Sequence, residues 1–365
     1  MTAHVNHLEM SGLRLPATTR DLRRDRIGRK KFHDAAYDEG YDTDTLVYDC
    51  FFDPVTETVK LICPPLLNFA PILEEAQFHV DGRAVSIAQI MQLTRGTVIS
   101  LESGDGQVLS ISHRLFGGNL VIGRSFVANL AGMNGVYTIS RNNRLEWIID
   151  WLRYYVDVHG LQAVVLSDNG STDYTPQQLG DAIAGVAGLQ QAYILHARYP
   201  FGPVGGAFKA LFLQMTLGEM VRTRFFAKAR AVLNADIDEL FYSRSGQSVF
   251  DATVQSPMGY LRADARWVYA PQIAGDVPRF RDHSAVSATG VPKANRKWCI
   301  DPQGPLQGRE WLTHFINTRQ DPVNPDFCMW HFHQISTHWK AERGTEMPTV
   351  VPYPELIETM KHVFC

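Results

Sequence analysis

The chain has 365 residues, 45% hydrophobic and 20% charged, with 35 basic side chains against 38 acidic ones and a formal net charge of −3. This composition excludes a disordered or collagen-like chain, and at roughly 150 residues per domain it has room for about two domains. The near-neutral balance argues against a general nucleic-acid binder, which carries a basic excess, while leaving room for a local basic site that takes an anionic substrate.

The five cysteines, Cys50, Cys63, Cys299, Cys328 and Cys365, are scattered and form no C-x-x-C. Neither a disulfide framework nor a zinc knuckle is expected, and a reducing cytoplasm fits best. Met1 to Arg20 has no apolar run of signal-peptide type. No stretch approaches the ~18 apolar residues of a membrane span, so any work at a membrane is expected from its surface, at the inner face.

Residues 1–45 read as an N-terminal arm. Arg20, Arg23, Arg24, Arg26, Arg29, Lys30 and Lys31 form a basic cluster, followed by Asp38, Glu39, Asp42 and Asp44. The plain reading is a solvated segment; the sharper one is a patch for anionic lipid or a polyanionic acceptor. Residues 46–134 read as a β-rich accessory domain, with short strands at Leu46–Phe52 and Thr58–Cys63. Asp81-Gly82 predicts a hairpin turn. Thr97–Glu102 and Gln107–Ser112, around Ser103-Gly104-Asp105-Gly106, predict a second hairpin. Several short strands with frequent turns suggest a small sandwich or barrel.

From residue 135 to 365 the pattern becomes α/β. Val136–Ser140 reads as a strand, and Leu145, Ile148, Ile149, Leu152, Tyr155, Val156 and His159 recur at helical spacing. Asn143 with Glu146 suggests a capping box at the start of that helix, and Gly160 ends it. Ala163–Ser167 is a second strand, Thr175-Pro176 starts a helix, Ala192–His196 is a third strand, Gly206–Arg222 is helical, and Ala231–Ala235 is a fourth strand. Strands alternating with helices predict a Rossmann-like, mostly parallel sheet with helices on both faces.

In such sheets ligands bind beyond the carboxyl ends of the strands. The polar clusters fall there: Arg141-Asn142-Asn143, then Asp168-Asn169-Gly170-Ser171-Thr172-Asp173, then Asp236-Ile237-Asp238-Glu239. Carboxylates two apart where a strand ends can turn into one cleft, and they repel unless a cation lies between them. Asp236 and Asp238 are therefore candidate ligands for Mg²⁺ or Mn²⁺, hard cations commonly completed by substrate phosphates.

These motifs resemble the pattern RNE…EW…HG…DNxSxD…DxDEF of glycosyltransferases with the GT-A fold, of the family 2/family 92-like group. Here the pattern is carried by Arg141-Asn142-Asn143, Glu146-Trp147, His159-Gly160, Asp168 to Asp173 and Asp236 to Leu240; Asn143 replaces the usual acid and Leu240 the usual aromatic. A second family-like stretch runs from His331-Phe332-His333 through Lys340, Arg343 and Gly344. The resemblance implies an inverting transferase that takes a nucleoside diphosphate sugar, a UDP-sugar first, to a hydroxyl of a glycan or glycolipid. It implies that His331 is a third metal ligand. Arg141, Asn142, Asp168, Asn169, Ser171 and Asp173 would then line the nucleotide site, and Lys340 and Arg343 would meet the diphosphate.

Inversion needs a carboxylate base that is not metal-bound. Asp264, Asp282, Asp301, Glu310 and Asp326 are candidates, with Asp264 preferred and Glu310, beside Trp311, second. Trp267, Trp311 and Trp330 are candidate sugar-stacking rings, and Lys297-Trp298 resembles a family stretch near the acceptor cleft. Two other readings stay open: a nucleotidyltransferase, and an inactive transferase fold that merely binds a glycan.

Overall fold

The computed structural model describes residues 2–19, 22–203, 210–290, 293–335, 337 and 347–364. The chain divides into two compact units: Met1–Leu8, Leu130–His196 and Phe226–Cys365 form the first, Glu9–Asn129 and Ala197–Phe225 the second. The sequence reading placed its boundaries at 45/46 and 134/135; these units divide the chain at 8/9 and 129/130 and put Ala197–Phe225 with the β-rich part.

The first unit is built on a nine-stranded sheet. Its strands are β1 (His4–Glu9), β2 (Asn134–Ser140), β3 (Ala163–Asp168), β4 (Gln191–His196), β5 (Ala231–Asn234), β6 (Glu239–Ser243), β7 (Tyr260–Val268), β8 (Lys293–Ile300) and β9 (Val323–Phe332). They lie in the order β1-β4-β3-β2-β5-β8-β7-β9-β6. Four of the seven registered pairs are parallel, namely β2–β3, β2–β5, β3–β4 and β7–β9; β5–β8, β7–β8 and β6–β9 are antiparallel. The parallel block β4-β3-β2-β5 has the order of one Rossmann half, β4-β3-β2, and the first strand of the next, with the winding reversing between β2 and β5. Every residue of β3 is buried, as expected for a strand covered on both faces. The predicted α/β class with a β-rich N-terminal part is therefore observed.

Helix α1 (Leu145–His159) buries Trp147, Ile148, Trp151, Leu152, Tyr154 and Tyr155, and ends at Gly160, whose φ of 69° is left-handed. That conformation favours glycine because a Cβ would crowd the carbonyl. Its N-cap is Arg144, without a side-chain cap bond. The expected capping box fails because Asn143, buried, donates to Ser140 Oγ at 2.9 Å instead. Helix α2 (Pro176–Ala184) carries a complete capping box between Thr175 and Gln178. Helices α3 (Val249–Gln255) and α4 (Pro354–Phe364) complete this unit's longer helices among the described residues.

The second unit holds two four-stranded antiparallel sheets, one with Thr58–Cys63 and Thr97–Leu101, the other with Gln77–Val80 and Val108–His113. Their inward residues share one core, including Leu61, Ile99, Phe78 and Ile111, so the sandwich expectation is met. The Asp81-Gly82 hairpin forms, with both φ values positive. The second hairpin does not: Thr97–Leu101 and Val108–His113 belong to different sheets, and 102–107 connects them. A turn motif fixes a bend, not the partner of the next strand, and burial of Leu109 and Ile111 selects the other sheet. The segment read as solvated also holds a buried side chain, Arg24, whose guanidinium donates to the carbonyls of Asp42, Thr45 and Pro65. In the same unit a helix runs over Phe212–Arg224 where 206–222 was expected, and 206–209 lie outside the described residues. Among the described residues no helix is long and apolar enough to cross a membrane.

Candidate active site

The acidic turn follows β5, next to the point where the winding reverses, and leads straight into β6. Helix α1 fixes the turn from behind. Tyr155 donates its hydroxyl to the Glu239 carbonyl at 3.0 Å, and accepts from the Phe241 amide at 3.2 Å. His159 adds a bond from Nε2 to the Phe241 carbonyl at 2.6 Å, while its Nδ1 accepts from the Val249 amide at 3.1 Å. Burial holds this imidazole far below its ordinary value, at about 4, against the smaller pull of the Phe241 carbonyl. His159, part of the family-like motif, is thus a neutral brace.

Strand β9 runs antiparallel to β6 and sets His331 opposite Glu239. His331 Nε2 lies 3.0 Å from Asp238 Oδ2, and His331 Nδ1 lies 3.8 Å from Glu239 Oε1. The Asp238 carbonyl accepts from the Phe332 amide at 2.8 Å, which locks the two strands beside the side chains. Asp238, Glu239 and His331 are all buried, and each offers a ligand atom within 4.8 Å of the others. Trp267, the register partner of His331 on β7, stacks on the imidazole with ring centroids 3.8 Å apart.

The neighbouring strand supplies a cation. Lys297 on β8 is fully buried, and its ammonium lies 3.2 Å from Asp236 Oδ2 and 3.4 Å from Glu239 Oε2. Burial alone would lower this ammonium's pKa, but Asp236, Glu239 and Asp238 outweigh it and the pKa rises. Glu239 is pushed upward, chiefly by burial and then by Asp236 and Asp238, against Lys297 and His331.

The donor set fits a divalent cation: two carboxylates and an imidazole. His331 Nδ1 is buried and has no hydrogen-bond partner among the described residues. Three carboxylates face one ammonium here, so the cluster is richer in acid than in base. The structure thus unites Asp238 with His331 and adds Glu239, while Asp236 faces Lys297. Glu239 was legible as the next residue of the acidic run. Lys297 was read only as part of a family-like stretch near the acceptor cleft; nothing in its local sequence pointed to the acidic turn, where its ammonium lies.

The loops after β2 and β3 are stitched together. The Asn142 amide donates to Ser171 Oγ at 2.8 Å, and Asn142 Oδ1 accepts from the amides of Thr172 at 2.6 Å and Asp173 at 3.3 Å. Asn142 pays for this with a φ of 56°, a left-handed conformation that asparagine tolerates. Asp168, buried at the end of β3, accepts from the Ser171 amide and hydroxyl. The Asn169 amide donates to the Ser140 carbonyl at 2.8 Å. Arg141 and Asp173 are exposed, and the Arg141 carbonyl accepts from Thr337 Oγ1 at 3.1 Å. Lys340 and Arg343 lie outside the described residues.

The base candidates separate. Asp264 lies three residues before Trp267 on β7, hence on the opposite face, and forms an exposed ion pair with Arg296 at 2.7 Å. The preferred candidate therefore does not point toward the acidic turn. Asp282 caps a short turn with Arg279, Asp301 accepts from the Gln303 amide, and Asp326 is held by Ser243 and Ser245. Glu310 accepts from Asn317 Nδ2 at 3.2 Å. The adjacent Trp311 packs on Tyr137, whose hydroxyl accepts from Asn234 at 2.7 Å. Trp311 and Trp330 are core residues, 1% and 0% exposed, so neither offers a face to a sugar; only Trp267 of the three is partly open.

No family model matches the sequence, and a search of curated proteins gives no significant match. Among solved structures, the mannosyltransferase Ktr4p from S. cerevisiae in complex with GDP is similar at 13% identity and a TM-score of 0.26, over 40% of this chain and 45% of that one. A second structure of Ktr4p gives 13% identity and 0.25 over 40% and 44%. The chain thus spans less than half the length of these structures.

Proposed function

We propose that the chain is a metal-dependent glycosyltransferase of the GT-A type. It moves a sugar from a nucleoside diphosphate sugar, a UDP-sugar first, to a hydroxyl of a glycan or glycolipid, with inversion. The observation that carries this reading is the meeting of Asp238, Glu239 and His331 at the carboxyl edge of a Rossmann-ordered sheet. The motif resemblance agrees with it. The structural similarities are too slight to add to it.

Asp238, Glu239 and His331 would hold Mn²⁺ or Mg²⁺, which when bound neutralises charge on the leaving diphosphate. The chain's own part is preorganisation. Tyr155 and His159 hold the backbone of β6, so the carboxylates need not move to take up charge. The loop residues Arg141, Asn142, Asp168, Asn169, Ser171 and Asp173 stand at the ends of β2 and β3, where the nucleoside would lie. For the base we propose Glu310, through its link by Trp311 and Tyr137 to the end of β5. The exposed basic residues Arg26, Arg29, Lys30 and Lys31 suit contact with an anionic membrane surface on the cytoplasmic side.

The test is thermal stability with UDP, GDP, ADP and CDP, each with Mn²⁺ and with EDTA. A diphosphate at 100 times its Kd adds about 2.7 kcal/mol. A rise with UDP and Mn²⁺ that EDTA removes is expected; no response to any diphosphate would overturn the proposal.

A further inference from the structure

Lys297 is wholly buried, with no exposed side-chain surface. Its ammonium has three protons, and three acceptors surround it: Asn234 Oδ1 at 3.2 Å, Asp236 Oδ2 at 3.2 Å and Glu239 Oε2 at 3.4 Å. Glu239 Oε2 also accepts the Asp236 amide at 2.7 Å. The two oxygens of Glu239 are therefore divided. Oε2 serves the lysine and the turn, and Oε1 faces His331 Nδ1, a buried nitrogen with no hydrogen-bond partner among the described residues.

We propose that Lys297 is the resident counter-cation of the acidic turn: it holds Asp236 away from the divalent site and leaves Asp238, Glu239 and His331 as the ligand set. Lys297 thereby limits how tightly the divalent cation is held. Its charge lies beside one ligand and repels the incoming ion, while the carboxylates of Asp236, Asp238 and Glu239 still outnumber the one ammonium. The first acid of the turn is then a partner of Lys297 and not a metal ligand. The inference rests on the cation site of the proposed transferase.

The probe is Mn²⁺ alone, followed by the electron paramagnetic resonance of the free ion with the full chain. Asp238→Asn should lose binding. Lys297→Met should bind Mn²⁺ about tenfold more tightly, Lys297→Arg should stay close to the unaltered chain, and Asp236→Asn should stay within about threefold of it. Lys297→Met binding no more tightly while Asp238→Asn loses binding would overturn the role of Lys297 alone. Asp236→Asn weakening Mn²⁺ as much as Asp238→Asn would overturn it too, and this arm decides the matter if Lys297→Met fails to fold. No Mn²⁺ binding by the unaltered chain would overturn the cation site and this inference together.

Discussion

Replacing His159 by leucine tests how the acidic turn is braced. The imidazole is 2% exposed and joins the Phe241 carbonyl to the Val249 amide. Phe241 keeps a second donor, Tyr154 Oη at 2.8 Å, but the Val249 amide loses its side-chain acceptor. Leaving that buried amide unpaired costs about 1–3 kcal/mol at pH 7. The same substitution changes the pH response. Burial holds the folded imidazole down at about 4, below the ordinary value of 6.5, so the unfolded chain takes up the proton first. Below about pH 6.5 the folded state is therefore penalised, and stability falls toward pH 4. Integrated between pH 7 and pH 5, this one group accounts for about 2 kcal/mol. The six tryptophans among the described residues, Trp147 to Trp330, lie in the unit that contains His159, so tryptophan fluorescence in urea reports that unit. The unaltered chain should lose about 2 kcal/mol more than His159→Leu between those pH values. An equal loss in both chains would refute the neutral-brace assignment.

Asp168→Asn should raise the donor KM more than it lowers kcat, since a group that holds the nucleoside acts equally in the ground and transition states; steady-state kinetics with varied donor would read this. His331→Gln should weaken Mn²⁺-supported turnover more than Mg²⁺-supported turnover, because imidazole is the softer ligand, and equal losses would count against coordination through His331. Glu310→Gln should lower kcat by at least about 100-fold with donor affinity kept, while Asp264→Asn should leave kcat nearly unchanged. Arg224→Met should cost the second unit about 3–5 kcal/mol, by stranding Asp49, 1% exposed, without its guanidinium. Hydrogen exchange over residues 45–63 would read that loss.

Much of the site was legible because it lies on local pattern. Polar clusters directly after apolar strands mark strand ends, and three of them at alternating βα positions mark one edge of a sheet. The places of Asp168, Asn142 and Asp238 at or just beyond strand ends were read that way. The pairing of Asp238 with His331 needed the family-like pattern, because 93 residues separate them and no local spacing joins them. The direction of Asp264 was not legible from sequence: on a strand the choice of face turns on register, and Asp264 stands three residues before Trp267 and pairs with Arg296. Asn143 was misjudged for a similar reason, since its side chain had a nearer partner in Ser140 than the helix amide it was expected to cap.

The sequence by itself determined the class of fold, the end of helix α1 at Gly160, the hairpin at Asp81-Gly82 and the acidic turn, because each depends on neighbours within a few residues. Tertiary structure alone decided which strands share a sheet, that Thr97–Leu101 and Val108–His113 part company, and that Lys297 enters the acidic turn. These outcomes depend on which apolar faces bury one another, and burial couples residues without regard to their separation along the chain. A lysine on a strand reads as solvated until β5, β7 and the acidic turn close around it; only then does its charge have three acceptors and a purpose.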